Sequence, residues 1–482
     1  MSILGHSRLP LTARRKASPW AARAMILGLS ALLSSGTAEA EESTYEPPPR
    51  ASNARTGDFI DYEPRPVLPR ELRACSFRHP LCVHEAGGVH EVGVKGTPGR
   101  EGQAALAWLQ AADRAWDTAT GALRLPPPDP SLTTRALDLY IVDARDPTFT
   151  RTLLDRRDLV GGFDRASAFA LVGPGARGCA LDHAAARVIA RAILFRVAPA
   201  SDAGSALAES AALASLIAPC VGAQDAEVSF FQTHPEVGLA DRLAPPGETF
   251  PEPALATARE GQHQTAGEAY ATGASLFYDW LDESFGGYPG ATVEALWALR
   301  PTVTPFPAER WHNEPDGFDV LRTSFKSALT TGSTVDDLWL DFAVARAFFP
   351  GLPVREEWSI DWPSKPRTLL SGVGIAPTGA AYVGIDLAGR PRGARLRFEA
   401  HWEEHARILW ALIRVDANGH ELSRVAVPGP DRGTDAQTTL VDLDGVARVL
   451  VVGSSAGDPL VTFDPDDYLW EPHGWAISLA AE

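Results

Sequence analysis

The feature that most constrains this 482-residue chain is a change of apolar period near Pro350 and Pro353. Before it, apolar residues recur three and four apart. Leu181, Ala185, Val188, Ile189, Ala192 and Phe195 form one such face, and Ala206, Leu207, Leu213, Ala214 and Ile217 another. This spacing predicts two helices, closed by Pro199 and Pro219. Further helices are expected at 102–119, 266–285, 291–300, 318–330 and 335–347, with alternating strands at 136–143 and 167–172. After Pro353 the texture becomes short alternating runs at 381–387, 394–400, 408–415, 438–441, 447–452 and 475–480. Gly389-Arg390-Pro391, Asn418-Gly419 and Gly429-Pro430-Asp431 punctuate them, as in a β-sandwich. The expected class is therefore α+β: a mainly helical domain with a small sheet at 71–352, followed by an all-β sandwich at 356–482.

The N-terminus imposes a different constraint. Arg14, Arg15, Lys16 and Arg23 precede the apolar run 25–33 and then Ala38-Glu39-Ala40, the pattern of a secretory signal peptide with cleavage after Ala40. Residues 41–70, rich in Pro, Arg, Glu and Ser, lack an apolar period and read as an extended linker or a strap over the surface. No later segment is long and apolar enough for a transmembrane helix. The expected location is periplasmic or extracellular.

Export agrees with the cysteine count. Four cysteines in an exported chain suggest two disulfides; three connectivities are possible, and the pairs nearest in sequence are Cys75/Cys82 and Cys179/Cys220. Removing residues 1–40, with five basic residues and one acidic, takes the formal charge from −17 to −21. Such a balance argues against nucleic acid or anionic lipid as partner.

The stretch between Cys179 and Cys220 has the outline of a zinc-peptidase helix pair. That chemistry needs two histidines one turn apart, a glutamate after the first to activate water, and a third ligand from the next helix. Here the first helix reads His183-Ala184-Ala185-Ala186-Arg187. Ala184 stands at the position of the base and Arg187 at that of the second histidine, and a guanidinium has no lone pair for zinc. Glu209 on the second helix stands at the third-ligand position. A structural role for the pair has His183 capping its helix near Asp182 and Glu209 bridging to Arg187 or Arg191.

The order of elements resembles the secreted bacterial gluzincin-like, or peptidase-MA-like, metallopeptidases with a degenerate zinc motif. The resemblance is carried by 125–129, 139–143, the Cys179 to Cys220 helix pair with Glu209, 273–285, and 339–350 leading into the β domain. It implies a gluzincin-like fold for 71–352 and leaves only His183 and Glu209 as inherited metal-ligand positions.

Other motifs are weaker. His401-Trp402-Glu403-Glu404-His405 matches a reversed zinc motif, with Glu471 as a distant third ligand, but it falls between alternating segments where a turn is expected. His84-Glu85 and His90-Glu91 fit no zinc spacing, and Gly87-Gly88 beside them suggests a hairpin. Nucleophile elbows and phosphate loops are absent from the sequence. The resulting expectation is an exported, non-catalytic metallopeptidase-like protein without a cofactor, binding a polypeptide or cell-envelope partner. The alternatives are an active zinc metallopeptidase using His183 and Glu209, or a purely structural envelope protein.

Overall fold

The computed structural model describes residues 65–87, 102–144, 146–160, 163–175, 177–199, 201, 203–239, 266–299, 317–327, 334–429, 433–458 and 472–482. The expected signal peptide, most of the linker, His90, Glu91 and Glu471 lie outside them.

The chain is a mixed α+β protein. Its first sheet has the order β1-β2-β3-β5-β4, built from Glu71–Cys75, Leu81–Ala86, Leu137–Ile141, Thr150–Val160 and Phe163–Val172. Strands β2, β3 and β5 run parallel, while β1 and β4 close the two edges antiparallel. Helix α1 (Gln103–Asp117) makes the crossover from β2 to β3. Its Trp108, Ala112 and Trp116 share one apolar core with Leu81, Val83, Leu137, Leu139 and Ala170 of the sheet.

Helices α2 (Cys179–Val197) and α3 (Ala203–Ile217) extend this core. Helix α2 buries twelve of its nineteen residues. Such a helix is apolar nearly all round because α1, α3 and the sheet surround it. Around the pair lie α4 (Asp225–Thr233), α5 (Ala266–Gly273), α6 (Ser275–Phe285), α7 (Ala291–Leu299), α8 (Gly317–Ser327) and α9 (Val335–Arg346). Where the sequence predicts one helix over 266–285, the chain breaks at Ala274 into α5 and α6. Both expected disulfides form, Cys75–Cys82 across the β1–β2 pair and Cys179–Cys220 between the start of α2 and the segment just after α3. Closing the second, 41-residue loop is worth about 4 kcal/mol in the chain-entropy account.

The C-terminal strands form two facing sheets, β11-β10-β13-β8-β6 and β12-β9-β14-β7. These strands are β6 (Trp358–Asp361), β7 (Arg367–Leu370), β8 (Ala380–Asp386), β9 (Leu396–Trp402), β10 (Ile408–Val415), β11 (Glu421–Val427), β12 (Asp435–Leu440), β13 (Arg448–Ser455) and β14 (Trp475–Ala481). Val383, Ile385, Trp410, Leu412, Val449 and Val451 of one sheet meet Leu396, Phe398, Ala400, Ile477 and Leu479 of the other. Strands β8, β10 and β13 depart from the expected alternation and are buried on both faces. Their outer residues Tyr382, Ile413, Leu450 and Val452 pack against Ala343 and Val344 of α9. The opposite side of α9 places Leu338, Trp339 and Phe342 in the helical core. One helix thus belongs to both cores, which narrows its polar side to Asp336, Asp337 and Asp341.

Candidate functional site

The helix pair brings His183 and Glu209 into buried positions, 4% exposed each. The Cys179–Cys220 bridge draws the start of α2 toward the turn after α3. His183 Nδ1 donates to the Ala218 carbonyl at 3.0 Å, and its Nε2 accepts from the Gln224 side-chain amide at 3.2 Å. Gln224 also donates to the Ala211 carbonyl at 3.2 Å. Burial lowers the imidazole's affinity for a proton; the Ala218 bond opposes this, Arg187 adds to it, and Glu227 opposes it. His183 is therefore a neutral ring with both nitrogens engaged. Its bonds run to Ala218, just past the end of α3, and to Gln224 at the N-cap of α4, whereas the sequence suggests a cap on its own helix.

Glu209 Oε2 accepts from the indole N–H of Trp297 at 3.0 Å. At Gly317, the first residue of α8, a Cβ would lie 3.1 Å from Glu209 Oε1. The carboxylate thus sits at a helix N-terminus, where negative charge is favourable. Trp297 and Gly317 as neighbours of Glu209 leave no trace in the sequence, since 88 and 108 residues separate them from it. Among the described residues, no group of three or more His, Cys, Asp or Glu is arranged to hold a metal ion.

The reversed zinc motif ends a strand and enters a turn. His401 is exposed on β9, and His405 adopts a left-handed backbone with φ 65°, its Nδ1 3.8 Å from Asp458. Glu403 accepts the Gly474 N–H at 3.0 Å, tying the turn to the start of β14. At the opposite end of the sandwich a shallow, open groove of about 710 Å³ is lined by Asp386, Arg390, Arg392 and Asp444.

The richest cluster lies on the outer face of the first sheet, where sequence reasoning found only a weak pair. Glu85 points toward the helices and accepts the Ala105 N–H at 3.2 Å. His84 points the other way, its Nδ1 bonded to Glu71 and its Nε2 2.9 Å from Asp138, with its ring stacked on Tyr140 at 4.6 Å. The guanidinium of Arg65 crosses above, 2.5 Å from Asp138, 2.9 Å from Asp155 and 3.2 Å from the Tyr140 hydroxyl. Thr134 bonds the same Asp138 carboxylate. Burial works to raise Asp138, but the His84, Thr134 and Arg65 bonds outweigh it and hold the group below the ordinary carboxylate range. Asp155 is lowered likewise, with the Arg65 bond the largest contribution opposing burial. The available sequence signal was a charged residue at the centre of an apolar strand, Asp138 between Leu137 and Leu139.

No protein-family model matches the chain, and no curated protein matches it. Among solved structures, the pre-peptidase C-terminal domain of a Bacillus anthracis collagenase is similar at 11% identity and TM-score 0.17, over 27% of this chain and 97% of that one. The enzymatically active domain of bacteriophage CBA120 tailspike protein 4 is similar at 15% identity and TM-score 0.15, over 24% of this chain and 19% of that one. The VP2 subviral particle of infectious bursal disease virus is similar at 8% identity and TM-score 0.16, over 24% of this chain and 32% of that one.

Proposed function

We propose that this is an exported, non-catalytic protein built on a metallopeptidase-like helix pair, whose role is to bind a polypeptide or cell-envelope partner. The observation that carries the reading is the state of His183. Its Nε2 lone pair is engaged by Gln224, while Ala184 and Arg187 stand where hydrolysis needs a base and a second ligand. Two disulfides and the signal-like residues before Ala40 support export. Among the described residues no helix is long and apolar enough to cross a membrane. In this reading the gluzincin-like arrangement of 71–352 persists as a scaffold, and Glu209 holds Trp297.

The test is metal analysis of the purified mature protein together with hydrolysis of a mixed peptide library. A metal-free protein with unchanged stability in chelator and no cleavage is expected. Stoichiometric zinc that disappears in His183→Ala would overturn the reading in favour of an active metallopeptidase.

A further inference from the structure

We propose that the outer face of the first sheet is a recognition site for an extended polypeptide segment carrying an arginine and, three residues later, an aliphatic side chain, and that Arg65 and Leu68 occupy it in cis. The inference rests on the polypeptide-binding part of the proposed function, at a site separate from the helix pair.

Residues 65–69 are attached as a ligand would be. Among the described residues, the strap's one backbone bond is from the Gly87 N–H to the Arg70 carbonyl at 3.1 Å, at its end. Pro66 and Pro69 have no N–H to offer. Two side chains do the holding. Leu68 packs on the cluster of Tyr140, Leu153 and Phe169, and the Arg65 guanidinium joins two aspartates and lies 5.3 Å from the Phe169 ring centroid.

The receptor side is prepared independently of the strap. A sheet face that needs only a cover is apolar, yet this one commits Asp138, with no exposed side-chain surface, and Asp155 to a guanidinium. His84 and Thr134 fix Asp138, and Ser131 and Ser167 fix Asp155. These bonds pre-organise the acceptors for one planar, forked donor. Arg65 itself fits imperfectly, because its Nη2 is buried with no hydrogen-bond partner. A buried donor left unmade weakens the cis contact relative to a segment that satisfies it. The chain's formal charge of −17 favours approach of a basic segment.

The experiment uses the mature full-length chain and a fluorescent peptide with the sequence of residues 65–70. Tethering gives the cis segment a high effective concentration, so the wild type should bind the peptide at least tenfold more weakly than the Arg65→Ala, Leu68→Ala variant. Adding Asp138→Asn to that variant should abolish binding, and a peptide with Lys in place of the first Arg should bind at least tenfold more weakly. A folded double variant that does not bind, that binds no better than the wild type, or that still binds after Asp138→Asn would overturn the proposal. Should the double variant fail to fold, the single Arg65→Ala variant is titrated with millimolar methylguanidinium: a rise in Tm absent from the wild type supports the site, and no rise overturns it. Failure here in a metal-free protein would remove this site and leave the proposed function, whereas zinc at His183 would do the reverse.

Discussion

The guanidinium of Arg346 lies 3.7 Å from the ring centroid of Phe231, joining the last helix before the sandwich to α4. It donates to Gln232 Oε1 at 2.8 Å and to the Phe231 carbonyl, while Gln232 returns a bond to the Arg346 carbonyl at 3.1 Å. Gln232 also donates to the Leu352 carbonyl at 2.7 Å, just before the sandwich begins. Arg346 is 2% exposed, so its charge is balanced by these acceptors and the aromatic face.

Replacing Arg346 with Met retains volume and removes the donors, leaving buried acceptors unmet. A loss of about 3 kcal/mol is expected, measured as a lower denaturant midpoint at unchanged m-value. A fragment of residues 356–482 alone would expose Tyr382, Ile413, Leu450 and Val452, which now face α9, and is expected to aggregate.

His183 makes stability depend on pH. Its folded-state proton affinity is lowered, chiefly by burial, so the unfolded chain binds the proton more tightly. The stabilisation is fully present above the ordinary histidine value of about 6.5 and is lost as pH falls below it toward the folded value. Denaturation midpoints should therefore fall between pH 7 and pH 5 in the wild type, and His183→Gln should flatten that slope. His183→Ala should lower stability by about 2 kcal/mol through the lost bonds to Ala218 and Gln224.

Asp279 acts in the opposite sense. Burial, reinforced by Glu283 and Asp282 on the same helix, pushes its carboxyl up to about 7. A raised folded value favours the folded state at low pH, and that advantage disappears as pH rises from about 4 through 7. Asp279→Asn is expected to remove this decline, with a stability gain at pH 8 of at most about 4 kcal/mol. Thermal melts of both proteins at pH 5 and pH 8 check it.

Gly453 is required by Trp410. A Cβ on Gly453 would come 2.6 Å from the indole ring, and Trp410 is 1% exposed between the two sandwich sheets, with Trp475 5.3 Å away. Gly453→Ala should cost about 2 kcal/mol from overpacking. Near-ultraviolet circular dichroism should change with it, because the packed tryptophans are displaced.

Helix periodicity was legible where the chain carries a long run of apolar residues at helical spacing: 102–119 and 335–347 each correspond to a helix within two residues at either end. Strands β1, β6 and β7 were not legible, being only four or five residues long and mostly exposed. Too few side chains alternate there to register a period. At the helix pair, the sequence named His183 and Glu209 but not their partners Gln224 and Trp297, which adjacency in the chain does not reveal.

The sequence by itself determined the α+β class, the cysteines available for bridging, and the absence of Glu and His at positions 184 and 187. These are properties of residue type and short-range spacing. The tertiary structure alone decided that α9 belongs to two cores, that Gln224 engages His183, and that Arg65 reaches Asp138 and Asp155. Burial, charge pairing and hydrogen-bond direction are relations between distant segments, and they exist only once the chain has closed on itself.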